Sequence, residues 1–254
     1  MVSDPNSRFT LSTHAAGGAQ ADASVEIDAG LREYMLRVYN YMASGLALTG
    51  IIAYFSANTP AILNMLYVAG PDGMVQPTGL AWIAMLSPFA FILALSFGIN
   101  KMQASTAQAV FWAFAAVMGL SLANIFLVYT GASVTRVFFI TAGTFAGMSL
   151  YGYTTKRDLT AMGSFLMMGL FGIIIAMVVN IFMQSSALHF VISVLGVLIF
   201  VGLTAYDTQK IKSVYEEADG AEVMTKKAIM GALTLYLYFI NLFLMLLRLF
   251  GERR

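Results

Sequence analysis

The sequence predicts an all-α integral membrane protein whose fold is a seven-helix transmembrane bundle. Of its 254 residues, 59% are hydrophobic and only 11% are charged, whereas a soluble domain has about 25% charged residues. The mean hydropathy is +0.78. The apolar residues also form long runs, and a helix of roughly twenty apolar residues can cross the hydrocarbon core of a bilayer. Composition and run length together predict a chain that crosses the membrane several times.

Seven apolar runs, each bounded by polar or charged residues, predict the seven helices. They cover about residues 35–56, 79–98, 106–128, 134–154, 161–183, 188–211 and 229–250. The first run ends at Thr59-Pro60, because proline cannot continue the helical hydrogen-bond ladder. The break at 57–78 contains the turn signal GPDG at 70–73 and a short apolar stretch at 62–68. This break therefore predicts a turn and one further short helix.

Small residues and one proline within the runs give predictions about helix packing. Gly143 and Gly147 form a GxxxG pattern in the fourth helix, and Ala115 and Gly119 have the same spacing in the third. Such spacing allows two membrane helices to approach closely. Pro88 lies inside the second helix, where it is predicted to cause a kink and to free a backbone carbonyl near mid-membrane.

The polar segments predict the domain division and the orientation. Residues 1–30 are small and polar, which predicts a disordered tail ahead of a transmembrane domain at 31–254. The tail lacks the basic-then-apolar order of a signal peptide. A cytoplasmic N-terminus puts more basic residues inside than outside, as the positive-inside rule favours. The inside group is Arg8, Arg32, Arg37, Lys101, Lys156, Arg157, Lys210, Lys212, Lys226 and Lys227, and the outside group is Arg136, Arg248, Arg253 and Arg254. The terminal arginines leave open an alternative in which the last helix re-enters the membrane and returns the C-terminus to the inside.

Several classes of function are excluded by what the sequence lacks. A net charge of +1 with dispersed charges gives no nucleic-acid footprint, and the absence of cysteine excludes disulfide and thiolate chemistry. The last helix has no lysine for a retinal Schiff base. A Ser149–His189 pair is excluded because the predicted helices separate the two residues by roughly 20 Å in depth, at 1.5 Å per residue. We therefore predict no catalytic residue, no metal site and no enzymatic activity.

Asp207 is the most informative residue of the chain. It follows an apolar run that begins at Leu188, and Thr208 and Gln209 come directly after it. An acid that continues an apolar membrane helix is a candidate functional group. The alternative is an interfacial acid that only meets cytoplasmic water, and the sequence leaves both interpretations open.

The second half of the chain resembles a known family. Helices 4 and 5 read FFITAGTFAGMSLYGYTTKRDLTAMGSFLMMGLFGIIIAMVVNIF, helix 6 ends in LTAYDTQKIK, and helix 7 contains LYLYFINLFLMLLRLFG. These stretches closely resemble the Bax inhibitor-1 (transmembrane Bax inhibitor motif) family, in its bacterial YccA-like branch. The resemblance covers about residues 35–250. It implies seven helices with helix 6 central, and location in a bacterial inner membrane.

The resemblance implies two kinds of function from different classes. Members of the family are described as pH-sensitive calcium-leak channels, which would make calcium a permeant ion and not a cofactor. YccA-like members also bind and restrain the membrane-anchored AAA protease FtsH, and eukaryotic relatives suppress cell death. The polar tail at 1–30 favours the second function, because a pore does not need it. The implied partners are the lipid bilayer and such a protease, and the oligomeric state is left open.

The resemblance also implies a gate made of two aspartates. One lies in the YDTQ-type motif of helix 6 and corresponds to Asp207, and its partner lies on helix 7 at the position of Tyr238. A tyrosine hydroxyl can donate a hydrogen bond to Asp207 and favour its ionised form, while burial opposes ionisation. We predict Asp207 and Tyr238 as the ion pathway or gate, with Thr204, Gln209 and Asn241 as supporting polar residues.

Overall fold

The computed structural model describes residues 12–69 and 75–254, with side chains for residues 29–68 and 76–254. Nine helices and one two-stranded hairpin lie within these ranges, so the all-α class is confirmed. The helices are α1 (Ser12–Asn58), α2 (Pro60–Leu66), α3 (Gly79–Gly98), α4 (Ala104–Leu122), α5 (Ile125–Val128), α6 (Gly131–Thr154), α7 (Thr160–Met183), α8 (Ser186–Ser213) and α9 (Ala221–Phe250). The strands are β1 (Tyr67–Ala69) and β2 (Val75–Pro77).

Six helical segments are long and apolar enough to cross a membrane: α3, α4 together with α5, α6, α7, α8 and α9. A seventh crossing requires that α1 from Ala29 onward and α2 count as one span, although the two helices meet at 91°. The bend falls at Thr59, directly before Pro60, where the sequence predicted that helix 1 would end. The structure therefore gives six or seven spans, depending on how this bent pair is counted.

The N-terminal helix is longer than the sequence predicted. α1 begins at Ser12, so residues 12–30 are helical where we expected a disordered tail. Several alanines, which have the highest helix propensity, occur between residues 15 and 23. Residues 1–11 of the predicted tail lie outside the described residues. The division into a tail and a transmembrane domain remains a prediction.

The segment between α1 and α3 forms a small cap on the bundle. The predicted short helix is present as α2, and β1 and β2 pair antiparallel with Tyr67 opposite Pro77. The predicted turn at 70–73 lies outside the described residues. Thr78 joins the cap to α3, because its hydroxyl donates to the carbonyl of Met65 at 2.8 Å and accepts from the backbone N–H of Ala81 at 3.3 Å.

Helix α3 continues through Pro88 without interruption. α3 is one helix through Pro88, which is buried, so the predicted kink does not interrupt it. Proline has no N–H for the carbonyl four residues earlier, which is that of Ala84. The hydroxyl of Ser87 donates to this carbonyl at 3.2 Å. A side chain thus satisfies the backbone group that proline frees, as neighbouring Ser and Thr residues do in membrane helices.

The most buried helix of the bundle is α9, and the expectation that helix 6 is central is not confirmed. About 67% of the most apolar window of α9 is buried, against 33% for α8, which is the predicted helix 6. α9 packs against α1, α4, α6 and α8. Its buried residues include Leu233 and Leu235, which lie about 200° apart around the helix axis and therefore need neighbours on more than one side. α7 is peripheral, with 6% of its window buried, and packs mainly against α8.

The two ends of α9 lie at opposite ends of the bundle. Near its start, Arg37 of α1 donates to the hydroxyl of Thr225 at 3.3 Å. Beyond its end, the backbone N–H of Arg254 donates to the carbonyl of Val128 at 3.0 Å, and that of Thr130 donates to the carbonyl of Glu252 at 3.0 Å. A helix of this length spans about 45 Å. The last helix therefore runs the length of the bundle, and the re-entrant alternative is wrong.

Glycine packing follows a different pattern from the predicted one. Gly143 and Gly147 are exposed, and among the described residues no atom lies within 4 Å of the position that a Cβ would occupy at either of them. They lie two residues from the buried positions Thr141 and Phe145, which puts them on the opposite face of α6 at about 100° per residue. The prediction that they mediate helix packing within this chain is wrong.

Two other glycines make the close helix contacts. At Gly152 of α6, an added Cβ would overlap the carbonyl oxygen of Ala205 on α8. At Gly119 of α4, it would stand 2.8 Å from the carbonyl oxygen of Thr49 on α1. The prediction for Gly119 is confirmed, and Gly152 provides the contact that we assigned to Gly143 and Gly147.

Candidate functional site

Asp207 and Tyr238 form one hydrogen-bonded pair at the interface of α8 and α9. Asp207 lies six residues before the end of α8, and only 7% of its surface is exposed. The hydroxyl of Tyr238 donates to Oδ2 of Asp207 at 2.6 Å. This distance is typical of a hydrogen bond from a hydroxyl to a carboxylate, which is a strong type of hydrogen bond. The structure therefore brings together the two residues that the sequence predicted as a gate.

Asp207 also lines a cavity of about 510 Å³ that extends toward the α8–α9 connection. α1, the end of α3, α8 and α9 all contribute to its wall. Three lysines line it, namely Lys210, Lys226 and Lys227. Asp207 is thus an almost buried acid that lines a cavity. Its role in an ion pathway stays a prediction.

The charges of the cavity are partly compensated. Lys226 pairs with Glu222 at 2.9 Å, and Lys227 pairs with Asp219 at 2.6 Å. Lys210 has no ion pair with any residue whose side chain is described. It lies three residues after Asp207, which is one turn along α8. The cavity therefore contains one acid, Asp207, and the lysine nearest to it along α8, Lys210, acts on it by its charge without forming an ion pair.

The interface on the other side of the pair is apolar. The ring centre of Phe200 lies 6.0 Å from that of Tyr238. Phe200, Leu203 and Leu242 are at most 4% exposed. At Gly196, an added Cβ would stand 3.0 Å from the side chain of Met245. The two helices are thus closely packed beyond Asp207, and the cavity does not continue along this interface.

A row of hydrogen-bonded polar side chains lies next to Asp207, on the neighbouring face of α8. Thr208 and Ser149 of α6 share a hydrogen bond of 3.0 Å, and Ser149 shares one of 2.6 Å with Tyr39 of α1. From its sequence, Ser149 was considered only as a nucleophile, and these hydrogen bonds were not predicted. The signal that was available is that Thr208 adjoins Asp207 and is part of the same polar end of an apolar run.

The three predicted supporting residues make their hydrogen bonds to groups other than the Asp207 carboxylate. Thr204 donates to the carbonyl of Phe200 at 2.7 Å, and Asn241 donates to that of Leu237 at 2.8 Å, each within its own helix. Gln209 instead anchors the α6–α7 connection. Its amide accepts from the backbone N–H of Leu159 at 2.9 Å and donates to the carbonyl of Arg157 at 2.8 Å.

Neither the nucleophile nor the metal interpretation gains support from the geometry. The hydroxyl of Ser149 is bonded to Tyr39 and Thr208, while His189 lies at the start of α8 in a different cavity. Within the described part of the chain, no group of three or more His, Cys, Asp or Glu side chains could hold a metal ion.

Comparison with known proteins places this arrangement in a family. The family model described as "Inhibitor of apoptosis-promoting Bax1" matches residues 31–254. The chain belongs to the Bax inhibitor family. The match includes both Asp207 and Tyr238, so the resemblance seen in the sequence is confirmed at the level of the family. The chain is accordingly an integral membrane protein.

Bacterial relatives match the chain over nearly its full length. "Inner membrane protein YbhL" of Escherichia coli is 46% identical over 237 residues, which are 92% of this chain and 98% of YbhL. "Uncharacterized protein RP147" of Rickettsia prowazekii is 49% identical over 227 residues, covering 89% of this chain and 92% of that protein. A Caulobacter vibrioides protein is 46% identical over 233 residues, covering 91% and 93%. None of these three names describes an enzyme.

Proposed function

We propose that this Bax inhibitor family protein is a pH-modulated leak channel for calcium or another cation, and that Asp207 and Tyr238 form its gate. The observation that carries the proposal is the position of Asp207. Its carboxylate lies at the base of a 510 Å³ cavity and accepts a 2.6 Å hydrogen bond from the other helix that lines the path. An ionisable residue inside a membrane bundle, facing a cavity, is the usual mark of an ion pathway.

The proposed conformation is closed. A cation enters the cavity from the α8–α9 end and reaches Asp207, beyond which the contact of Phe200 with Tyr238 blocks the path. Opening separates α8 from α9 and breaks the Tyr238–Asp207 hydrogen bond. Protonation of Asp207 changes the strength of this bond and the attraction of the site for cations, which couples the leak to pH.

The proposed site is weak for calcium. Calcium prefers six to eight oxygen ligands, several of them carboxylates, and Asp207 is the single carboxylate that lines this cavity among the described residues. Carbonyls, hydroxyls and water would complete the shell. A leak requires that the ion can leave as well as enter, so weak binding is compatible with conduction.

We further propose seven crossings, a cytoplasmic N-terminus and a place in a bacterial inner membrane. The bent α1–α2 pair supplies the first crossing. The basic residues Lys101, Lys156 and Lys210 then face the cytoplasm, as the positive-inside rule favours. The name of YbhL as an inner membrane protein supports the location. In this orientation the Asp207 cavity opens to the cytoplasm.

The alternative function is a modulator of a membrane-anchored AAA protease of the FtsH type. The observation in its favour is α1, which begins at Ser12, well before the apolar span that starts at Ala29. A polar helical extension is not needed by a pore, and it is available for contact with a partner.

Calcium flux and co-purification separate the two functions. We would reconstitute the full chain in liposomes and compare calcium flux for the wild type and Asp207→Asn. In parallel, the wild type and a variant lacking residues 1–28 would be tested for co-purification with the protease. Flux that depends on Asp207 supports the leak. Absence of flux, together with co-purification that depends on residues 1–28, supports the alternative.

A further inference from the structure

A second cavity lies at the opposite end of the bundle from Asp207. It has a volume of about 400 Å³ and is formed where α7 ends, α8 begins and α9 ends. Its basic residues are His189, Arg248 and Arg253, and no carboxylate lines it. The leak proposal assigns nothing to this cavity.

The positive charge of this cavity is not compensated within the described residues. No carboxylate there lies within 4.0 Å of the charged groups of Arg248, Arg253 or His189. The nearest acid in the sequence, Glu252, pairs with Arg136 at 3.5 Å instead. Arg248 and Arg253 therefore line one cavity, and no described carboxylate forms an ion pair with either of them.

The backbone at the start of α8 adds to the positive electrostatic potential of this cavity. α8 is a 28-residue helix whose N-cap, Ser185, accepts the backbone N–H of Leu188 at 3.3 Å. The preceding residue, Gln184, has a left-handed φ of 48°, and Asn180 accepts the backbone N–H of Ser185 at 3.0 Å. This turn holds the start of α8 at the cavity wall, where Ser186 lies. The first N–H groups of a helix have no partner within the helix and favour an anion.

The arginines also have an unusual position in the sequence. In the proposed orientation Arg248 and Arg253 lie outside, whereas basic residues are normally concentrated on the cytoplasmic side. A bound anion would account for their presence at this end.

We propose that this cavity is a binding site for a phosphate-bearing anion, held by the guanidinium groups of Arg248 and Arg253 at the N-terminus of α8. Guanidinium groups match the geometry of phosphate oxygens and bind them through paired hydrogen bonds, and helix N-termini bind phosphate through their free N–H groups. The phosphate belongs either to the headgroup of an outer-leaflet phospholipid or to a soluble anion. The site is independent of the proposed leak and does not require it.

The test measures thermal stability of the purified full chain in a neutral detergent at constant ionic strength. Three probes would be titrated: phosphatidylglycerol, zwitterionic phosphatidylcholine and inorganic phosphate. The variants are Arg248→Gln, Arg253→Gln and the double variant. Arg253 is exposed next to the chain end, so its variant is expected to fold even if Arg248→Gln does not. The matched control is Lys101→Gln with Lys156→Gln, which removes the same charge from the other end.

We expect at least one of the two anionic probes, phosphatidylglycerol and inorganic phosphate, to raise the unfolding midpoint of the wild type and of the control. Zwitterionic phosphatidylcholine is the probe without net charge. The apparent affinity should fall at least about tenfold in the double variant, because it loses two charge-assisted contacts. Stabilisation by phosphatidylglycerol but not by inorganic phosphate identifies a lipid site, and stabilisation by both identifies a site for the phosphate group itself. Equal responses of the wild type, the control and the arginine variants to every probe would overturn the proposal.

Discussion

Tyr238 donates a 2.6 Å hydrogen bond to Oδ2 of Asp207 and thereby joins α9, the most buried helix, to α8. The sequence resemblance implied that the family has an acid at the position of Tyr238. In this chain the position is still in direct contact with Asp207, although the side chain is now a donor. The two positions are therefore in contact in this chain with a single carboxylate between them, and we expect any pH response to depend on that one carboxylate.

Removal of the Tyr238 hydroxyl tests the role of this bond. In Tyr238→Phe the almost buried carboxylate loses a donor, so we expect the protein to lose about 1.5–3 kcal/mol of stability at neutral pH, as for hydrogen bonds to charged groups. Ionisation of Asp207 becomes harder, so the midpoint of any pH-dependent leak should move to higher pH. Tyr206→Phe is the matched control, because Tyr206 has no side-chain hydrogen bond to the described residues. An unchanged midpoint in Tyr238→Phe would contradict the proposed coupling.

Two glycines of the same helix should respond in opposite ways to alanine. In Gly152→Ala the new methyl group overlaps the backbone of Ala205, and we expect a loss of about 1–3 kcal/mol, as for overpacked cores. The new methyl group of Gly147→Ala has no atom of the described residues within 4 Å, and the variant should be neutral or slightly stabilising, because alanine favours the helix. Thermal unfolding in detergent measures both. Equal destabilisation of the two variants would show that α6 is rotated relative to the structure.

Lys210 should slow the entry of cations. It is the cavity lysine without an ion pair among the described side chains, and a positive charge beside the path lowers the local concentration of cations. We expect Lys210→Gln to raise calcium flux by about twofold or more at low ionic strength, and the effect should shrink as salt screens the charge. Lys156→Gln, in the exposed α6–α7 connection, removes the same charge away from the cavity and should leave flux unchanged. A fall in flux in Lys210→Gln would exclude this role.

Single cysteines test the orientation, since the chain has none of its own. Asp158 and Ser186 are both exposed and flank opposite ends of α7, Asp158 in the α6–α7 connection and Ser186 as the first residue of α8. With the N-terminus inside, a membrane-impermeant thiol reagent should label Ser186→Cys in intact cells and Asp158→Cys only after permeabilisation. Labelling of Asp158→Cys in intact cells would reverse the topology.

The sequence predicted the helices well, because run length and proline positions are local signals. The bounds of α3 agree with the predicted 79–98. α9 begins eight residues before the predicted 229, at Ala221, because the pairing of Glu222 with Lys226 stabilises a polar first turn. The charged composition of residues 221–228 predicted a loop, whereas the i,i+4 spacing of Glu222 and Lys226 is typical of a helix.

The arrangement of the helices was harder to predict, because it depends on which face of each helix is buried. Gly143 and Gly147 matched a packing motif, but the buried stripe of α6 passes through Thr141, Phe145 and Ser149 on the other face. Spacing alone does not tell which neighbour a small residue meets. For the same reason run length did not show that α9 is the most buried helix, since the length of an apolar run does not tell whether lipid or protein covers it.

The candidate site was predicted in part. Asp207 was found from its place in an apolar run, and Tyr238 from the family resemblance. Thr204 and Asn241 were chosen as polar residues in the same helices, but each hydroxyl or amide satisfies a carbonyl of its own helix. Polar residues in membrane helices often make such local bonds, and the sequence gives no sign of which ones do.

Calcium flux into proteoliposomes for the wild type and Asp207→Asn, between about pH 5 and 8 where a shifted carboxyl would titrate, tests the central claim most directly. Asp158→Asn is the matched control, because Asp158 is a fully exposed acid outside the cavity whose pKa is lowered by hydrogen bonds from the Thr160 side chain and backbone. We predict that Asp207→Asn changes flux most at neutral pH and approaches the wild type at acid pH, where the native carboxyl is already partly neutral, while the control follows the wild type throughout. Robust flux that is identical in the wild type and Asp207→Asn at every pH would contradict the account.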